Sequence, residues 1–547
     1  MTMNNSMSRR GLLAMGAALA AFTPALAQTA AAPTRAQTLA TMKRATQFMV
    51  ETVAYKGGYV WSYLPDFSRR FGEMEAFPTM MWVQPPGTGT AGHLFLDAYH
   101  ATGDEYYYKA AQSAASALIA AQHPAGGWNY LHDFAGEESI KRWYDTIGKN
   151  GWRLEEFQHY YGNATFDDAG TAEASQFILR LYLEKKDKQY WAPLQKAISF
   201  VLDSQYPVGG WPQRFPLTKE GGLHGNEDYT RAITFNDDVA GENLEFLIMV
   251  YQTLGDKRAL GSIQRAMDSF IATQQPQPQP AWGLQHSEKT LKPVAARTYE
   301  PEAFATHTTA QNITSMMGFY RLTGDPKYLA RLPEALDWLD KVKLPPELVK
   351  DGRTHPTFIQ PGTGKALFIH RTGSNVVNGR YYADENPQKV VIHYGSTRAV
   401  NVAKLRAEYE ALKATSPAQV AKNSPLKAKP GSIGLPKYFT GEDVSVSDLN
   451  VNALHVAGAV KAEDANKVIG DLNKVGWWPT ELKAASNPYA GDGSPTPAPG
   501  DYSETRVGDK TDTSPYVAEN PPIGISTGVY IDNMGVLIRY LDSLPKT

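Results

Sequence analysis

The residues of this chain that could do chemistry form polar clusters, each beside a run of apolar residues. The densest combines the glycine-rich segment Gly209–Pro216 with Asn236–Asp238, and a second acidic pair, Asp167–Asp168, precedes another apolar run. Side-chain oxygens of Asp and Asn are the hard ligands that Ca²⁺ prefers, and two carboxylates can also serve as acid and base in glycoside hydrolysis. Because Asn and Asp are common helix N-caps, capping alone explains part of both acidic motifs.

A third cluster combines aromatic, cationic and acidic groups. It contains Trp282–His286, followed by Arg297 and Glu300. Tryptophan offers a flat apolar face on which a sugar ring can stack. An Arg and a Glu three residues apart most often form a structural ion pair, and most histidines are satisfied polar residues. Among the histidines, His286 is the best candidate for a functional role.

The elements that must position these clusters are indicated by an internal repeat. Gly-Asp turns at Gly103–Asp104, Gly255–Asp256 and Gly324–Asp325 are each followed by an amphipathic helical pattern. Tryptophans at positions 61, 128, 211 and 282 are 67, 83 and 71 residues apart. A unit of about 70 residues with two helices is a hairpin that cannot bury its apolar face alone. The sequence therefore predicts an all-α fold, an (α/α) toroid or barrel of helical hairpins with long loops and short β decorations.

The pattern changes after about residue 345. We predict a toroidal catalytic core over residues 33–345 and a loop-rich extension over residues 346–547. Residues 484–525 are rich in Pro, Gly, Ser and Asp, which is typical of irregular segments. The extension is expected to contain short strands and to end in a C-terminal helix that docks on the core.

The N-terminus has the features of an export signal. Arg9 and Arg10 precede an apolar stretch that ends at Ala25–Ala27, an A-x-A type cleavage site. The paired arginines favour a twin-arginine signal over an ordinary secretory one. We therefore predict a signal peptide over residues 1–27 and a periplasmic or extracellular mature protein.

Composition excludes several classes of function. A net charge of −2 gives no basic field for nucleic acid, and the absence of cysteine excludes disulfides and thiolate metal sites. No apolar run after the signal peptide is long enough to span a bilayer. An anionic substrate must therefore be met locally, by a few Arg and Lys side chains or by a metal ion. We expect the protein to act as a monomer.

Four motifs together resemble the pectic acid lyases of polysaccharide lyase family ten. They are Gly209–Gln213 with Phe235–Asp238, Phe166–Thr171, Trp282–His286 and Ala296–Pro301. The resemblance covers roughly residues 160–375, with the motifs in the family's order and at similar spacing. It implies an (α/α) toroid that uses Ca²⁺ and an arginine base to eliminate across C4–C5 of polygalacturonate, an acidic polysaccharide.

The resemblance also implies roles for individual residues. Arg297 matches the base, and Arg371 matches an arginine that binds a substrate carboxylate. The candidate calcium ligands are Asp167, Asp168, Asp237 and Asp238. The candidate substrate-binding residues are Trp211, Gln213, Arg214, Trp282, His286, Glu300, Arg371 and Arg380.

The chain departs from the family's pattern in several places. Thr357 stands where a second carboxylate-binding arginine is expected, and Thr372 replaces the Asp of the family's Arg-Asp-Gly. Arg380 or Arg353 could replace the missing charge; otherwise the substrate could be methyl-esterified or a different uronate polymer. The insertion at residues 129–162 and the long tail have no clear family counterpart, and either could reshape the cleft.

The implied chemistry is coherent, but the residues leave two other functions open. The C5 proton lies α to a carboxylate and becomes acidic only when a divalent cation or an arginine neutralises that charge. Arginine is normally protonated, so its role as base rests on the resemblance. The alternatives are a glycoside hydrolase with Asp167 and Asp238 as acid and base, and a non-catalytic uronate-binding protein.

Overall fold

The computed structural model describes residues 31–151, 155–218, 228–372, 380–391, 396–440, 460–491, 512–515 and 518–545. Most of its regular structure is helical. The α-helices are α1 (Arg35–Phe48), α2 (Thr88–Thr102), α3 (Glu105–Ala121), α4 (Glu137–Trp143), α5 (Glu155–Gln158), α6 (Gly170–Lys185), α7 (Trp191–Asp203), α8 (Val239–Leu254), α9 (Lys257–Thr273), α10 (Thr306–Thr323), α11 (Leu332–Lys341), α12 (Val402–Lys413), α13 (Pro417–Val420), α14 (Ala462–Asp471) and α15 (Thr527–Ser543).

Successive helices form hairpins: α2 with α3, α6 with α7, α8 with α9 and α10 with α11. The turn between α8 and α9 shows how the sequence builds them. Gly255 ends α8 in the left-handed conformation, with φ of 70°, which glycine adopts without a steric penalty. Asp256 then accepts a hydrogen bond from the backbone N–H of Arg258 and caps α9. The same Gly-Asp pair joins α2 to α3.

The hairpins stand side by side. Helix α15 packs against α2, α2 against α6 and α6 against α8, whereas α10 packs against α9, α11 and α12. Most residues of α2 and α8 are buried, whereas α9 is amphipathic with one apolar face. The prediction of an all-α (α/α) toroid is confirmed.

We call the first helix of each hairpin (α2, α6, α8 and α10) its inner helix and the second (α3, α7, α9 and α11) its outer helix. The repeated tryptophans bond each loop to the helix that precedes it. The indole N–H groups of Trp128, Trp211 and Trp282 donate to backbone carbonyls near the ends of α3, α7 and α9, at 2.7, 2.8 and 3.0 Å. Trp478 makes the same contact with α14, at 2.8 Å. Trp61 instead donates to the carbonyl of Gln84 within its own loop region. The carbonyls on α3, α7, α9 and α14 belong to the last turn of each helix, where donors from outside the helix can reach them.

Short strands decorate the ring. They are β1 (Ser62–Tyr63), β2 (Arg70–Phe71), β3 (Glu75–Ala76), β4 (Met80–Trp82), β5 (Leu131–Asp133), β6 (Ala164–Thr165), β7 (Arg214–Phe215), β8 (Ile233–Thr234), β9 (Gln285–His286), β10 (Phe304–Ala305), β11 (His355–Pro356), β12 (Phe358–Ile359), β13 (Ala366–Thr372), β14 (Arg380–Asp384), β15 (Thr397–Arg398), β16 (Thr480–Glu481) and β17 (Ile523–Ser526). Two small antiparallel sheets have the orders β16-β17-β1-β2-β3 and β10-β12-β13-β14, and β4-β5, β6-β7, β8-β9 and β11-β15 are pairs.

Residues beyond 345 share the core of the hairpins. One hydrophobic cluster extends from Met42 to Leu541, and α15 packs against α1 and α2. The boundary at residue 345 stays a prediction. The predicted signal peptide, residues 1–27, lies outside the described residues. None of the helices in the described ranges is long and apolar enough to cross a membrane.

Candidate active site

Two acidic turns lie in contact at the N-terminal ends of α6 and α8. Strand β6 leads into the 3-10 turn Asp167–Ala169, and β8 leads into the 3-10 turn Asn236–Asp238. Each strand is followed by one Phe and then by the turn, so the counterpart of Asp168 is Asp237. The two acidic pairs of the sequence are therefore offset by one position.

The backbone of both turns is left-handed. Asp168 and Asp237 have φ of 50° and 49°, and the next residues, Ala169 and Asp238, have φ of 59° and 56°. This conformation is uncommon for residues other than glycine, although Asp tolerates it better than most. Each such residue costs about 1–3 kcal/mol and persists where the surrounding structure holds it, often at functional sites.

The carboxylates of Asp167, which is buried, and of Asp168 and Asp237, which are partly buried, form a cluster. Burial and the charge of Asp237 raise the pKa of Asp168 well above its ordinary value, and burial and the charge of Asp167 do the same for the pKa of Asp237. Asp168 accepts a hydrogen bond from Gln84 Nε2 at 2.8 Å, and Asp167 accepts one from the Tyr130 hydroxyl at 2.6 Å. The second oxygen of Asp167, Oδ1, has no hydrogen-bond partner.

These three carboxylates supply oxygen atoms of the kind that a hard divalent cation prefers. The raised pKa values of Asp168 and Asp237 reflect desolvation and crowded negative charge, and a cation would reverse that effect. In the described ranges, no group of three or more His, Asp or Glu residues is arranged so that it could hold a metal ion. Since Ca²⁺ takes roughly six to eight oxygen ligands, substrate and water would have to supply the rest.

Asp238 lies apart from this cluster. Burial raises the pKa of its carboxyl to about 7, opposed by hydrogen bonds from the Gln311 side chain and the Gly241 backbone. A Cβ atom at Gly241 would lie 2.3 Å from an oxygen of Asp238, so this close approach requires glycine. Of the four predicted calcium ligands, the structure brings together Asp167, Asp168 and Asp237, whereas the contacts of Asp238 are with α8 and α10.

Arg297 lies beside the acidic cluster and is surrounded by carboxylates. Its Nε and Nη2 donate to the two oxygens of Glu300 at 3.0 and 2.9 Å, and its backbone N–H donates to the same carboxylate at 3.0 Å. Its Nη1 lies 3.3 Å from Glu156 and 3.9 Å from Asp167. The Arg297 side chain is 5% exposed. The pair with Glu300 is the structural ion pair that the spacing indicates, and it lies at the acidic cluster.

Several residues of this centre were missed by the sequence analysis. Glu156 is buried, and burial raises the pKa of its carboxyl to about 7, opposed by Arg297. Gln84 Nε2 also donates to the buried carboxylate of Glu73 at 2.9 Å. Gln84 had a signal, because Trp82-x-Gln84 repeats the pattern of Trp211 and Gln213. Glu156 had none, because it belongs to the insertion and to no repeated motif.

The structure places the two predicted stacking tryptophans and the predicted histidine in the interior. Trp211 and Trp282 are fully buried, with their N–H groups bonded to helix ends, so neither presents a face to a sugar. His286 is also fully buried. Its Nε2 accepts from the Gly283 N–H at 3.0 Å and its Nδ1 donates to the Leu291 carbonyl at 2.9 Å. Burial lowers its pKa to about 4, so a neutral imidazole holds this loop together.

Gln213 and Arg214 lie on the loop that pairs with β6. Both are buried, and neither amide atom of Gln213 has a hydrogen-bond partner. Arg214 Nη1 lies 3.3 Å from the side-chain oxygens of Asn129 and of Asn163. Its guanidinium carbon lies 5.2 Å from the ring centroid of Tyr130, which bonds Asp167. Arg214 therefore contacts the acidic cluster indirectly, through Tyr130.

Arg371 reaches the same region from the β13–β14 hairpin. It is buried and pairs in register with Tyr381. The Tyr381 ring lies 5.7 Å from that of Tyr299, over which Arg297 is placed at 5.4 Å. Arg380 begins β14, but its side chain lies outside the described part. Thr357, where an arginine was expected, is buried beside β12.

A comparison with known protein families supports the resemblance that the sequence motifs indicate. Residues 133–388 match the family model described as pectic acid lyase. The resemblance to the pectic acid lyases is confirmed. The matched region contains Glu156, both acidic turns, Arg297 and Arg371, and it supports a lyase that acts on polysaccharides. No curated protein matches this chain.

Solved structures with some similarity are enzymes that act on sugars. A family 10 polysaccharide lyase from Cellvibrio cellulosa, in complex with trigalacturonic acid, is 15% identical over 61% of this chain and 96% of its own, with a TM-score of 0.34. An α-1,6-mannanase from Salegentibacter sp. HEL1_6 is 14% identical over 58% and 73%, with a TM-score of 0.32. A cellobiose 2-epimerase from Spirochaeta thermophila is 13% identical over 69% and 97%, with a TM-score of 0.31. These values are too low to transfer a function.

Proposed function

We propose that this protein is an exported pectate lyase that cleaves polygalacturonate or a related uronate polymer by β-elimination, with Ca²⁺ as cofactor and Arg297 as base. The observation that carries the proposal is the position of the buried guanidinium of Arg297 against the acidic cluster of Asp167, Asp168 and Asp237, inside the region that matches the pectic acid lyases. Acids alone would repel a uronate, whereas acids that hold a cation beside an arginine can bind one.

The residues of the site have distinct tasks in this reaction. Asp167, Asp168 and Asp237 would hold the cation, which when bound neutralises the substrate carboxylate and makes the C5 proton acidic. In its neutral form Arg297 takes that proton, and the electrons of the C5–H bond form the C4–C5 double bond. The C4–O bond breaks with its electron pair on the leaving oxygen, which takes a proton from water. Glu300 holds Nε and Nη2 of Arg297 and so orients the guanidinium. Arg371, on the adjoining hairpin, would bind a carboxylate bidentately.

The deciding measurement is the ultraviolet absorbance of unsaturated uronate product, with polygalacturonate at mildly alkaline pH. We expect absorbance to rise with Ca²⁺ and to stop when a chelator is added. The matched control is the Arg297→Ala variant, which should still bind substrate but give no rise.

Other outcomes would exclude this chemistry. New reducing ends without the absorbing product would indicate a glycoside hydrolase that uses Asp167 and Asp238 as acid and base. Binding of oligouronates without any product would indicate a non-catalytic uronate-binding protein. Turnover of another uronate polymer alone would correct the substrate and leave the reaction type intact.

A further inference from the structure

The guanidinium of Arg297 is held from two directions. Glu300, on the same loop, binds Nε and Nη2. The remaining nitrogen, Nη1, faces Glu156 at 3.3 Å and Asp167 at 3.9 Å. Glu156 comes from α5, which is 141 residues earlier in the chain than Arg297.

The two carboxylates that face Nη1 differ in their other partners. Asp167 uses the oxygen nearest Nη1, Oδ2, to accept from the Tyr130 hydroxyl at 2.6 Å, and it is a candidate cation ligand. Glu156 has no second partner for its Oε2, and its nearest described cation is Arg297. When Asp167 binds a cation, Glu156 is therefore the carboxylate left to hold Nη1.

Packing fixes Glu156 in this place. The next residue, Phe157, is fully buried, with its ring 4.9 Å from that of Tyr130, 5.9 Å from Trp82 and 5.8 Å from Trp143. Glu156 is 3% exposed. A carboxylate is rarely buried without a charged partner. Arg297 is that partner for Glu156.

We propose that Glu156 is a positioning residue, which fixes Nη1 of Arg297 so that the guanidinium meets the substrate in one orientation. The insertion at residues 129–162 then belongs to the active site and is not a surface decoration. The inference rests on the proposed function, in which Arg297 acts on the substrate. Among the described residues, the other charged or titratable groups near this pair include Glu300, Asp167, Asp168, Asp237, Glu73, Tyr299, Tyr130 and Tyr144.

The test compares Glu156→Leu, which removes the acceptor, with Glu156→Gln, which keeps an acceptor oxygen of the same reach. A misplaced reacting group can cost about 100-fold in rate, so we expect Glu156→Leu to lose about 100-fold in kcat with KM within about twofold of wild type. Glu156→Gln should recover most of that loss. Glu138→Leu is the matched control, because Glu138 is exposed on α4 of the same insertion, and its kcat should be unchanged.

A second measurement separates positioning from folding and from the identity of the base. In Arg297→Ala, the carboxylates of Glu300 and Glu156 remain as a site for free guanidinium ion. We expect millimolar guanidinium to bind Arg297→Ala, as measured by calorimetry, and to restore part of its turnover. The double variant Arg297→Ala with Glu156→Leu should bind guanidinium more weakly and show no restored turnover.

Two results would overturn the inference. One is a folded Glu156→Leu variant, with a wild-type thermal midpoint, whose kcat stays within about twofold of wild type. The other is equal guanidinium binding by the single and double variants. By contrast, near-normal turnover of Arg297→Ala would contradict the proposed base, and the calorimetry would still report whether Glu156 holds a guanidinium.

Discussion

At the scale of single residues, the site depends on where each carboxylate points. Asp237 and Asp238 are adjacent in the chain, yet Asp237 faces Asp167 and Arg297, whereas Asp238 contacts Gln311 and Gly241. Both residues have positive φ, and two successive left-handed residues turn the chain sharply enough to separate neighbouring side chains. A motif of adjacent acids thus supplies one carboxylate to the cluster and another to the helix start.

The calcium requirement of two variants tests this separation. Asp167→Asn removes a charge from the cluster, so we expect the Ca²⁺ concentration for half-maximal activity to rise about tenfold or more. Asp238→Asn should leave that concentration within about twofold of wild type. The measurement is activity against buffered free Ca²⁺. An equal rise in both variants would indicate that Asp238 is also a calcium ligand.

The buried His286 makes a prediction about acid stability. Its folded-state pKa of about 4 lies below its ordinary value of 6.5, so the folded state resists protonation. The stability is fully present above pH 6.5 and is lost as pH falls toward 4, by about 3 kcal/mol. Replacing His286 by Gln removes the titrating group, so the fall in unfolding free energy between pH 7 and 4 should shrink by that amount. Urea unfolding at several pH values measures it, and an unchanged fall in the variant would contradict the prediction.

At the scale of elements, the loops are tied to the outer helices by a repeated pair of contacts. Besides the tryptophan bonds, Gln122, Gln205 and Gln274 each donate from Nε2 to a carbonyl in their own loop and to one on the next outer helix, at 2.8–3.2 Å. These three glutamines, which each follow the end of a helix by one or two residues, therefore have a structural role. They fix the loops from which the acidic turns and Arg297 project.

Substitution of Trp211 distinguishes a structural role from sugar stacking. Trp211→Phe removes the bond to Val201 and leaves a void, which should lower the free energy of unfolding by about 2–4 kcal/mol. KM of the folded variant should stay at the wild-type value. Trp191→Phe is the control, since Trp191 is 42% exposed and should cost less than about 1 kcal/mol. A raised KM for Trp211→Phe alone would restore its assignment to substrate binding.

At the scale of the whole molecule, the two ends of the inner helices have different tasks. The N-terminal ends of α6 and α8 present the acidic turns, where the helix dipole favours negative charge. The C-terminal ends are crossed by the segment 417–440: Pro417 contacts Gly324, Pro430 contacts Gly255, and the backbone N–H groups of Phe439 and Thr440 donate to Asp97 on α2. The proposed chemistry and the contacts of the segment 417–440 are therefore at opposite ends of these helices.

Asp97→Asn should destabilise the helix ends that the segment 417–440 contacts, without changing kcat or KM. Asp97 is buried and pairs with Arg180 at 2.6 Å, and removing one partner of a buried pair costs about 3–5 kcal/mol. We expect a loss of that size in unfolding free energy, with KM and kcat of the folded variant near wild type. Lys185→Gln, which removes the exposed pair with Glu105 and the amine over the Tyr108 ring, is the control. A specific loss of kcat would show that the two ends are coupled.

The sequence alone determined the features that depend on local patterns. Gly-Asp turns, helical periodicity and the regular tryptophans specify hairpins, and hairpins that cannot bury their faces alone must stack. The acidic turns and the Arg297–Glu300 pair were visible for the same reason, because each is a short segment with its own conformational preference.

The tertiary structure alone decided which of these residues meet. Sequence spacing gave no means to see that Glu156 would reach Arg297, that Asp238 would turn away from Asp237, or that Trp211 and Trp282 would face the interior. Contacts between segments far apart in the chain depend on how all the hairpins pack, and no local pattern records that. The insertion at residues 129–162 illustrates the reason, because it has no repeat to align with and its position is set by the burial of Phe157 against Trp82, Trp143 and Tyr130.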